Sequence, residues 1–240
     1  MIETARLPPV YHLVVAEPGQ NPETRARALA EDGADPATIV CADRADRLDC
    51  SVVLQPGMAL PEARLVVYVG MLGLGDALGA VVPPGIDVTY RWPNVIEANI
   101  APAARIDLYA PGGKSVSGTL PWMTLRAVVA LTSAIDGDPA APAFETTIAD
   151  EGGPEVAAVE LLESFTRHFL TWMTRWEEDG FDPVRAMWLR HAPSHGEKIQ
   201  LARAGRVSRG LFRDIGDDGA MILQGPRATR TISLASMLKP

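Results

Sequence analysis

The chain has 240 residues, of which 47% are hydrophobic and 22% charged, and its formal net charge at pH 7 is −8. This composition is typical of a soluble globular protein with a sizeable core, and it excludes a disordered or a membrane-embedded chain. The acidic balance also excludes broad nucleic-acid affinity over the whole chain, because neutralising phosphates requires a basic face.

The first half of the chain predicts a mixture of helices and strands. A short helix begins at the capping residue Asn21, has a proline in its first turn and ends at Gly33. Short β-branched runs predict strands, and a longer apolar stretch predicts a helix despite its glycines. In chain order, the elements predicted after the first helix are strands at 38–41 and 51–54, a helix at 62–82, and strands at 86–91, 105–109 and 125–131.

The second half contains the clearest helix of the sequence. Apolar and aromatic side chains recur every three or four residues from Val159 to Trp176, and Gly180 ends the pattern. A second helix is predicted from Asp182 to Trp188. The pattern then changes to short strands, which are predicted at 199–201, 207–212, 220–223 and 232–234.

The C-terminal part differs from the rest in charge as well as in pattern. From Ser194 onward there are eight Lys and Arg against four Asp and Glu, a local excess of +4, so the first 193 residues carry −12. We therefore predict a larger acidic domain over residues 1–192 and a small basic β domain over residues 193–240.

The segment Arg91-Trp92-Pro93-Asn94-Val95 lies at the end of a predicted strand. Pro93 cannot donate to a strand ladder and favours extended geometry at Trp92, so the strand is expected to stop and Asn94 to begin a loop. Two interpretations are open: the indole and the carboxamide face a cleft, or the tryptophan is a core residue that caps the strand.

A charged loop separates the first two predicted strands. Its two arginines, Arg44 and Arg47, could hold a phosphate or a carboxylate between their guanidinium groups. Alternatively, they pair with the aspartates of the same loop, Asp43, Asp46 and Asp49, and form a solvated surface segment.

Signals of several other protein classes are absent from the sequence. The N-terminal residues lack the basic region and apolar core of a signal peptide, and glycines and Asp76 interrupt the longest apolar run. We therefore predict a cytoplasmic protein with no membrane association. Cys41 and Cys50 lack the spacing of a disulfide framework or a zinc site and are expected in the core. The four histidines show no metal-ligand spacing, so no protein-only metal site is predicted.

Two separated segments resemble the biotin/lipoate protein ligase superfamily. Residues 91–95 correspond to the Lys-Trp-Pro-Asn-Asp segment of biotin ligases, and residues 210–223 are similar to the glycine-containing hairpin of the SH3-like domain that ends those enzymes. The order of the predicted elements follows that family over nearly the whole chain. The resemblance implies an α+β fold: a ligase-type sheet with helices, like that of class II aminoacyl-tRNA synthetases, followed by a small SH3-like β-barrel.

The resemblance also implies a chemistry, namely ATP-dependent acyl transfer with Mg²⁺. A carboxylate such as biotin or lipoate attacks ATP, and a lysine of a carrier domain captures the resulting acyl-adenylate. The implied partners are a small carboxylate and a biotinyl or lipoyl carrier domain, with no nucleic acid and no membrane. The residues that would bind the ligand are Arg44, Arg47, Arg91, Trp92, Asn94 and Arg105.

The chain departs from the family pattern where the family carries catalytic charge. The glycine- and arginine-rich loop of biotin ligases is shortened and has no glycine, the closing aspartate is replaced by Val95, and the lysine position falls on Pro102. Lys114 is the lysine that could substitute. If each lost contact contributes roughly 3 kcal/mol in the transition state, losing two would slow adenylation about 10⁴-fold.

Two functions therefore stay open. One is a divergent ligase or acyltransferase for a biotin- or lipoate-like carboxylate. The other is a pseudoenzyme that holds a small ligand or an acyl-carrier domain on the same scaffold. A DNA-binding repressor is disfavoured, because too few residues precede the first helix for a winged-helix module.

Overall fold

The computed structural model describes residues 1–112, 118–133, 144–153, 155–203 and 206–238. Within these ranges the chain forms six α-helices and two β-sheets, preceded by a 3₁₀ turn at Ile2–Thr4. The helices are α1 (Pro22–Glu31), α2 (Leu60–Ala63), α3 (Val66–Val81), α4 (Ala158–Asp179), α5 (Phe181–Arg190) and α6 (Leu234–Met237). The strands are β1 (His12–Ala16), β2 (Thr38–Ala42), β3 (Arg47–Leu54), β4 (Val88–Arg91), β5 (Val95–Ala98), β6 (Ala101–Tyr109), β7 (Met123–Ala130), β8 (Lys198–Arg203), β9 (Arg206–Ile215), β10 (Met221–Gln224) and β11 (Thr229–Ile232).

The larger sheet has seven strands in the order β1-β2-β3-β7-β6-β5-β4. The β1–β2 pair is parallel, and the other neighbouring pairs are antiparallel. β3 and β7 lie side by side at the middle and are buried along almost their whole length. Strands buried on both faces read as nearly continuous apolar runs, which is why the sequence predicted β7 as a central strand.

Successive side chains of a strand point to opposite faces of the sheet, so the side chains of this sheet lie in two different environments. On one face, Val52 and its neighbours join the large core formed with α3 and α4. On the other face, Val40 and Val53 pack against the alanines of α1. α1 packs mainly on β2, β3 and β7, and its Arg27 also lies over the Tyr109 ring of β6, 3.4 Å from the ring centroid.

α3 is the helix at the centre of the main core, between the sheet and α4. Its glycines permit this position because α4 approaches very closely: a Cβ at Gly73 would lie 2.8 Å from the Cα of Phe169. We expected glycines and Asp76 to interrupt the apolar stretch, but Leu60–Val81 is long and apolar enough to cross a membrane by length and composition. In the fold, 72% of its most apolar window is buried inside the protein, as in a core helix.

The strongest local patterns are confirmed. Asn21 caps α1, since its side-chain oxygen accepts a hydrogen bond from the Thr24 amide at 3.2 Å. The aromatic stripe of α4 is buried against α3, and α4 ends at Gly180 as predicted. Cys41 and Cys50 lie opposite each other in the β2–β3 ladder, both fully buried.

Several predicted boundaries are wrong. β3 begins at Arg47, so the charged loop spans only 43–46. The strand before Asn94 stops at Arg91 as predicted, but the loop predicted at Asn94 is only a tight turn between β4 and β5, with Arg91 opposite Val95. The last strand ends at Ile232, because the chain turns into α6 there, and β1 was not predicted at all. The start of β3 is decided by its pairing with the distant strand β7, whereas the β4–β5 turn is a local hairpin.

The small sheet has four antiparallel strands in the order β11-β10-β9-β8, which confirms the predicted C-terminal β module. It packs on α5: Phe212 contacts the Trp188 ring edge-on, and Arg185 bonds to Asp217 at 2.7 Å. Phe212 and Leu223 belong to the same apolar cluster as the main core. The exact division at residue 192 stays a prediction.

A buried chain of hydrogen bonds joins the Trp-Pro-Asn turn to this C-terminal module. The Trp92 indole N–H donates to the Tyr68 hydroxyl at 2.8 Å, and that hydroxyl donates to the carbonyl of Gly219 at 2.6 Å. Trp92 is only 3% exposed and Tyr68 is fully buried. The same tyrosine ring also packs edge-on against Phe181 and Trp188. The Tyr68 side chain of α3 therefore links the Trp-Pro-Asn turn of the large sheet to the C-terminal module.

Tyr68→Phe should lower the free energy of unfolding by about 2–3 kcal/mol, because it leaves a buried indole N–H and a buried carbonyl without partners. Tyr11→Phe is the matched control: its hydroxyl makes one longer bond, 3.3 Å, to the Thr166 carbonyl. We expect about 1 kcal/mol or less for that change. Urea unfolding of both variants measures the difference, and equal losses would contradict the central role of Tyr68.

Candidate functional site

A polar cavity of about 440 Å³ opens on the α1 face of the large sheet. Three parts of the chain form it: the loop that leads into α1, the β2–β3 hairpin, and one side chain of β7. The N-terminus of α1 therefore faces the cavity, where a helix favours negative charge. Its lining consists of Ala16, Glu17, Pro18, Gly19, Gln20, Asn21, Pro22, Ala42, Asp43, Arg44, Arg47, Asp49 and Arg126.

The hairpin brings both predicted arginines to the cavity and pairs them with one aspartate. Arg44 donates to the two oxygens of Asp46 at 2.8 and 3.0 Å, and the Arg47 guanidinium lies 3.3 Å from the same carboxylate. These arginines, the Arg44 hydrogen bond first, lower the pKa of Asp46 below its ordinary value against the opposing effect of burial. The ion pairing of the second interpretation is present, since Arg44 and Arg47 both contact Asp46, whereas anion binding by the two arginines stays a prediction. Arg47 is buried to 6% exposure because it starts β3 instead of lying in the loop.

The floor of the cavity is a buried ion pair between β3 and β7. Arg126 donates to both oxygens of Asp49 at 2.8 and 2.7 Å, and the two side chains are 11% and 8% exposed. Two parallel N–H···O bonds are the strongest geometry for such a pair. The guanidinium group of Arg126 therefore already binds a carboxylate of the protein itself.

A buried glutamate of α1 ties the helix to the same floor. The Glu23 carboxylate accepts hydrogen bonds from Ser51 at 3.1 Å and Thr124 at 2.7 Å, and Arg27 donates to it at 2.8 Å. Ser51 and Thr124 are fully buried. This bonding fixes α1 on the sheet at the end that borders the cavity.

A second polar group lies on the adjoining strands. In the β6–β7 ladder Asp107 is directly opposite Arg126. Its carboxylate accepts from Arg105 at 2.7 Å and from the Asn94 side chain at 3.3 Å, while Asn94 also donates to the Ile106 carbonyl at 2.8 Å. Burial raises the pKa of Asp107 above its ordinary range, although both arginines oppose the shift.

The predicted ligand-binding residues are therefore distributed over four places. Arg44 and Arg47 line the cavity, and Asn94 and Arg105 lie two strands away on the same polar face. Arg91, at the edge strand, is 3.2 Å from Glu97. Trp92 is in the core, bonded to Tyr68, and is not among the described residues that line the cavity, so its contact with a ligand stays a prediction.

The catalytic lysine of the family has two candidate positions in this chain, Pro102 and Lys114, and neither adds a positive charge among the described residues. Pro102 is buried within β6, where its backbone pairs with Glu97 and its carbonyl accepts the Glu145 amide at 3.1 Å. Lys114 lies outside the described residues.

The sequence pattern did not single out Arg126 at the floor of the cavity, nor Glu23 and Asp107 beside it, and it named Asp49 only as an alternative partner of the loop arginines. The sequence signal that could have identified the strand residues among them is a polar residue at every second position of an otherwise apolar strand, as at Thr124 and Arg126 of β7. That signal places them on one face. Their pairing across three strands depends on register and was not readable from spacing.

A second cavity lies on the opposite face of the sheet and has a different character. It encloses about 220 Å³ between the end of β3 and α4. Its lining is mainly large apolar and aromatic side chains, including Tyr11, Met58, Phe169, Met173 and Trp176. The fold thus separates one charged cavity from one apolar cavity.

The family resemblance implies Mg²⁺ together with ATP, and the cavity residues can be tested for that fit. No group of three or more His, Cys, Asp or Glu side chains gathers in the part of the chain described above. Mg²⁺ commonly takes one or two carboxylates and completes its shell with phosphate oxygens and water. Glu17 and Asp43 supply carboxylates to the cavity, which fits an ion arriving with a nucleotide but not a protein-only site.

Comparisons with known proteins agree with this architecture. Residues 7–190 match the model of the biotin/lipoate A/B protein ligase family. A biotin–[acetyl-CoA-carboxylase] ligase of Paracoccus denitrificans is 34% identical over 194 residues, covering 78% of each protein.

Two solved structures extend the comparison to the fold. A biotin protein ligase-like protein of unknown function from a Silicibacter species is similar at a TM-score of 0.88 and 31% identity, over 99% of this chain and 100% of that one. The Aquifex aeolicus biotin protein ligase in complex with biotin and ATP is similar at a TM-score of 0.70 and 16% identity, over 92% and 94% of the two chains. The second likeness is one of fold alone, and it confirms the predicted α+β class.

Breaking the floor pair should destabilise the protein strongly. Arg126→Leu leaves Asp49 buried and unpaired, so we expect a loss of about 3–5 kcal/mol. The double variant Asp49→Val, Arg126→Leu should lie within about 1 kcal/mol of the wild type, because it removes both charges from a β-favouring site. Arg175→Leu, in an exposed α4 pair 3.7 Å from Asp179, is the control and should cost under about 0.5 kcal/mol. Urea unfolding measures all three, and a double variant as unstable as the single one would contradict the ion-pair account.

The two shifted aspartates should give pH dependences of opposite sign. The folded-state pKa of Asp107 is raised, so its contribution to stability is largest below the ordinary value of 3.8 and is lost as the pH rises through the folded pKa. Asp107→Asn should therefore gain stability relative to the wild type between about pH 4 and pH 7. The pKa of Asp46 is lowered, so its contribution is present above 3.8 and disappears at lower pH. Asp46→Asn should lose stability relative to the wild type at pH 7 but not at pH 2, and melting temperatures across this range test both signs.

Proposed function

The chain belongs to the biotin/lipoate A/B protein ligase family, and from that premise we propose that it binds a small carboxylic acid in the arginine-lined cavity without activating it efficiently. The observation that carries the proposal is the placement of Arg44 and Arg47 together at one wall of a polar cavity, next to the N-terminus of α1. A guanidinium group matches a carboxylate through two parallel hydrogen bonds, and a helix N-terminus favours an anion. Arg47 is the proposed anchor, because its buried position at the start of β3 fixes its direction.

Relatives support the class of ligand. The Aquifex aeolicus ligase was solved with biotin and ATP bound, and the Paracoccus denitrificans relative is named for biotin transfer to acetyl-CoA carboxylase. Biotin, lipoate and ATP are accordingly the ligands to test first on this chain.

The charge arrangement supports binding over acyl activation. In adenylation the carboxylate oxygen attacks the α-phosphorus of ATP and pyrophosphate leaves, so negative charge develops that needs preorganised cations. The described arginines of the polar face each have a carboxylate partner within 3.3 Å: Arg44 and Arg47 with Asp46, Arg91 with Glu97, Arg105 with Asp107, and Arg126 with Asp49. At the family lysine position stands Pro102, which has no cation to offer. Arginines that are already paired with carboxylates stabilise the charge of a transition state less than arginines whose charge is uncompensated.

A second candidate function is the complete ligase reaction, favoured by the 34% identity to the Paracoccus denitrificans ligase. After adenylation, the amine of a carrier-domain lysine would attack the acyl carbon, and AMP would leave. In that case Glu17 and Asp43 would hold the Mg²⁺ that accompanies ATP, and a biotinyl or lipoyl carrier domain would be the partner.

Thermal shift and pyrophosphate exchange together separate the two candidates. We expect a small acid, from a panel with biotin, lipoate and shorter polar acids, to raise the melting temperature without ATP, since ligand at 100 times its Kd stabilises by about 2.7 kcal/mol. Pyrophosphate exchange should stay at background. Arg47→Met should abolish the shift, whereas Arg175→Met, on the far face of the sheet, should retain it.

Three outcomes would contradict this proposal. Exchange above background with any acid establishes the ligase reaction instead. An unchanged shift in Arg47→Met removes Arg47 as the anchor. The absence of a shift with every acid removes the binding function itself.

A further inference from the structure

We infer that the acid bound in this cavity is short and polar, with a second charged or hydrogen-bonding group in the manner of an amino acid, and that it carries no long methylene chain. This inference rests on the proposed function, because it specifies which carboxylic acids the arginine-lined cavity accepts. Biotin, lipoate and simple fatty acids, whose carboxylates end methylene chains, then bind poorly.

The described residues that line the cavity supply no large apolar surface for a methylene chain. Among the described residues around it, the apolar ones are small: Ala16, Pro18, Gly19, Pro22 and Ala42. No Val, Leu, Ile, Met or aromatic side chain is among these lining residues. Pockets that bind apolar ligand parts are lined mainly by large hydrophobic and aromatic side chains, as the second cavity of this protein is.

The floor of the cavity also disfavours a methylene chain relative to a polar ligand, and it does so more strongly than the rest of the lining. A chain lying on the Asp49–Arg126 pair would remove water from two ions and return no hydrogen bond. A polar group can replace that water, because carboxylate oxygens accept and guanidinium nitrogens donate beyond their bonds to each other. The floor therefore favours a ligand that brings hydrogen-bonding atoms to both signs of charge.

The charges of the lining come from different sides of the cavity. Its three arginines, Arg44, Arg47 and Arg126, share the site with three lining carboxylates, Glu17, Asp43 and Asp49, and Asp46 pairs with the two hairpin arginines. The hairpin wall carries two of the arginines, and the facing loop before α1 carries Glu17 without a cation of its own. An acid that also bears an ammonium group matches this arrangement: its carboxylate faces the hairpin and its ammonium faces Glu17.

Chain length gives a quantitative test. In an apolar pocket, each buried methylene raises affinity about fourfold, so octanoate would bind about 200-fold more tightly than butanoate. We expect less than a threefold difference between butanoate, hexanoate and octanoate, and tighter binding of glutamate than of any of them. Calorimetric titration of the full chain gives the affinities, and only binding lost in Arg47→Met is assigned to this cavity, which separates it from the apolar cavity on the other face.

A floor variant supplies the matched comparison. Asp49→Val with Arg126→Leu replaces the ion pair by apolar side chains at the same two ladder positions. In this double variant, glutamate should bind at least tenfold more weakly and octanoate should gain at least tenfold over butanoate. Circular dichroism and the urea midpoint show whether the variant is folded. If it is not, glutamate binding to Glu17→Gln, expected to weaken at least fivefold while succinate is unaffected, takes its place.

The possible results distinguish the polar-acid inference from the proposed function on which it rests, carboxylate binding in this cavity. Fourfold gains per methylene in the wild type, dependent on Arg47, overturn the polar-acid inference and leave carboxylate binding intact. Glutamate affinity unchanged in both the double variant and Glu17→Gln also overturns it. If no acid binds at millimolar concentration, both the inference and the proposed function are wrong.

Discussion

The two faces of the large sheet are covered differently, and this asymmetry governs the rest of the structure. α3 and α4 pack against the first face with mainly apolar side chains. On the second face α1 packs mainly on β2, β3 and β7, and its Arg27 lies over the Tyr109 ring of β6. The solution in this chain to a partly polar sheet face is mutual neutralisation at short distance, next to α1 in the Asp49–Arg126 pair and further along the sheet in the Arg105–Asp107 pair.

That solution has consequences for chemistry on the same surface. An arginine held by a carboxylate is well positioned and nearly immobile, which suits recognition of a ligand of fixed shape. It is less suited to stabilising charge that appears only in a transition state, because the carboxylate already compensates it. The chain thus has the architecture of its family, and the pairing of its arginines is the feature on which the proposal of binding without efficient activation rests.

The Trp-Pro-Asn turn shows how a family marker can serve stability. Trp92 looks from the sequence like a residue presented at a cleft, but its indole lies in the core and bonds to Tyr68, which bonds in turn to the C-terminal module. Asn94, in the same turn, holds the carbonyl of Ile106 and the carboxylate of Asp107. A single turn therefore connects the core, the polar face and the second sheet, so its residues are constrained whether or not a reaction takes place nearby.

The sequence by itself determined the elements whose signals are local. The cap and stop of α1, the aromatic stripe of α4, the apolar run of β7 and the change of pattern near residue 194 all follow from side-chain periodicity and backbone preferences within a dozen residues. The same local logic found the hairpin arginines Arg44 and Arg47. Only the tertiary structure decided where β3 begins, that β5 follows the Trp-Pro-Asn turn, and which carboxylate each arginine meets. The register of β3 against β7, for example, brings Asp49 to Arg126, 77 residues further along the chain, and no spacing in the sequence specifies such a pairing.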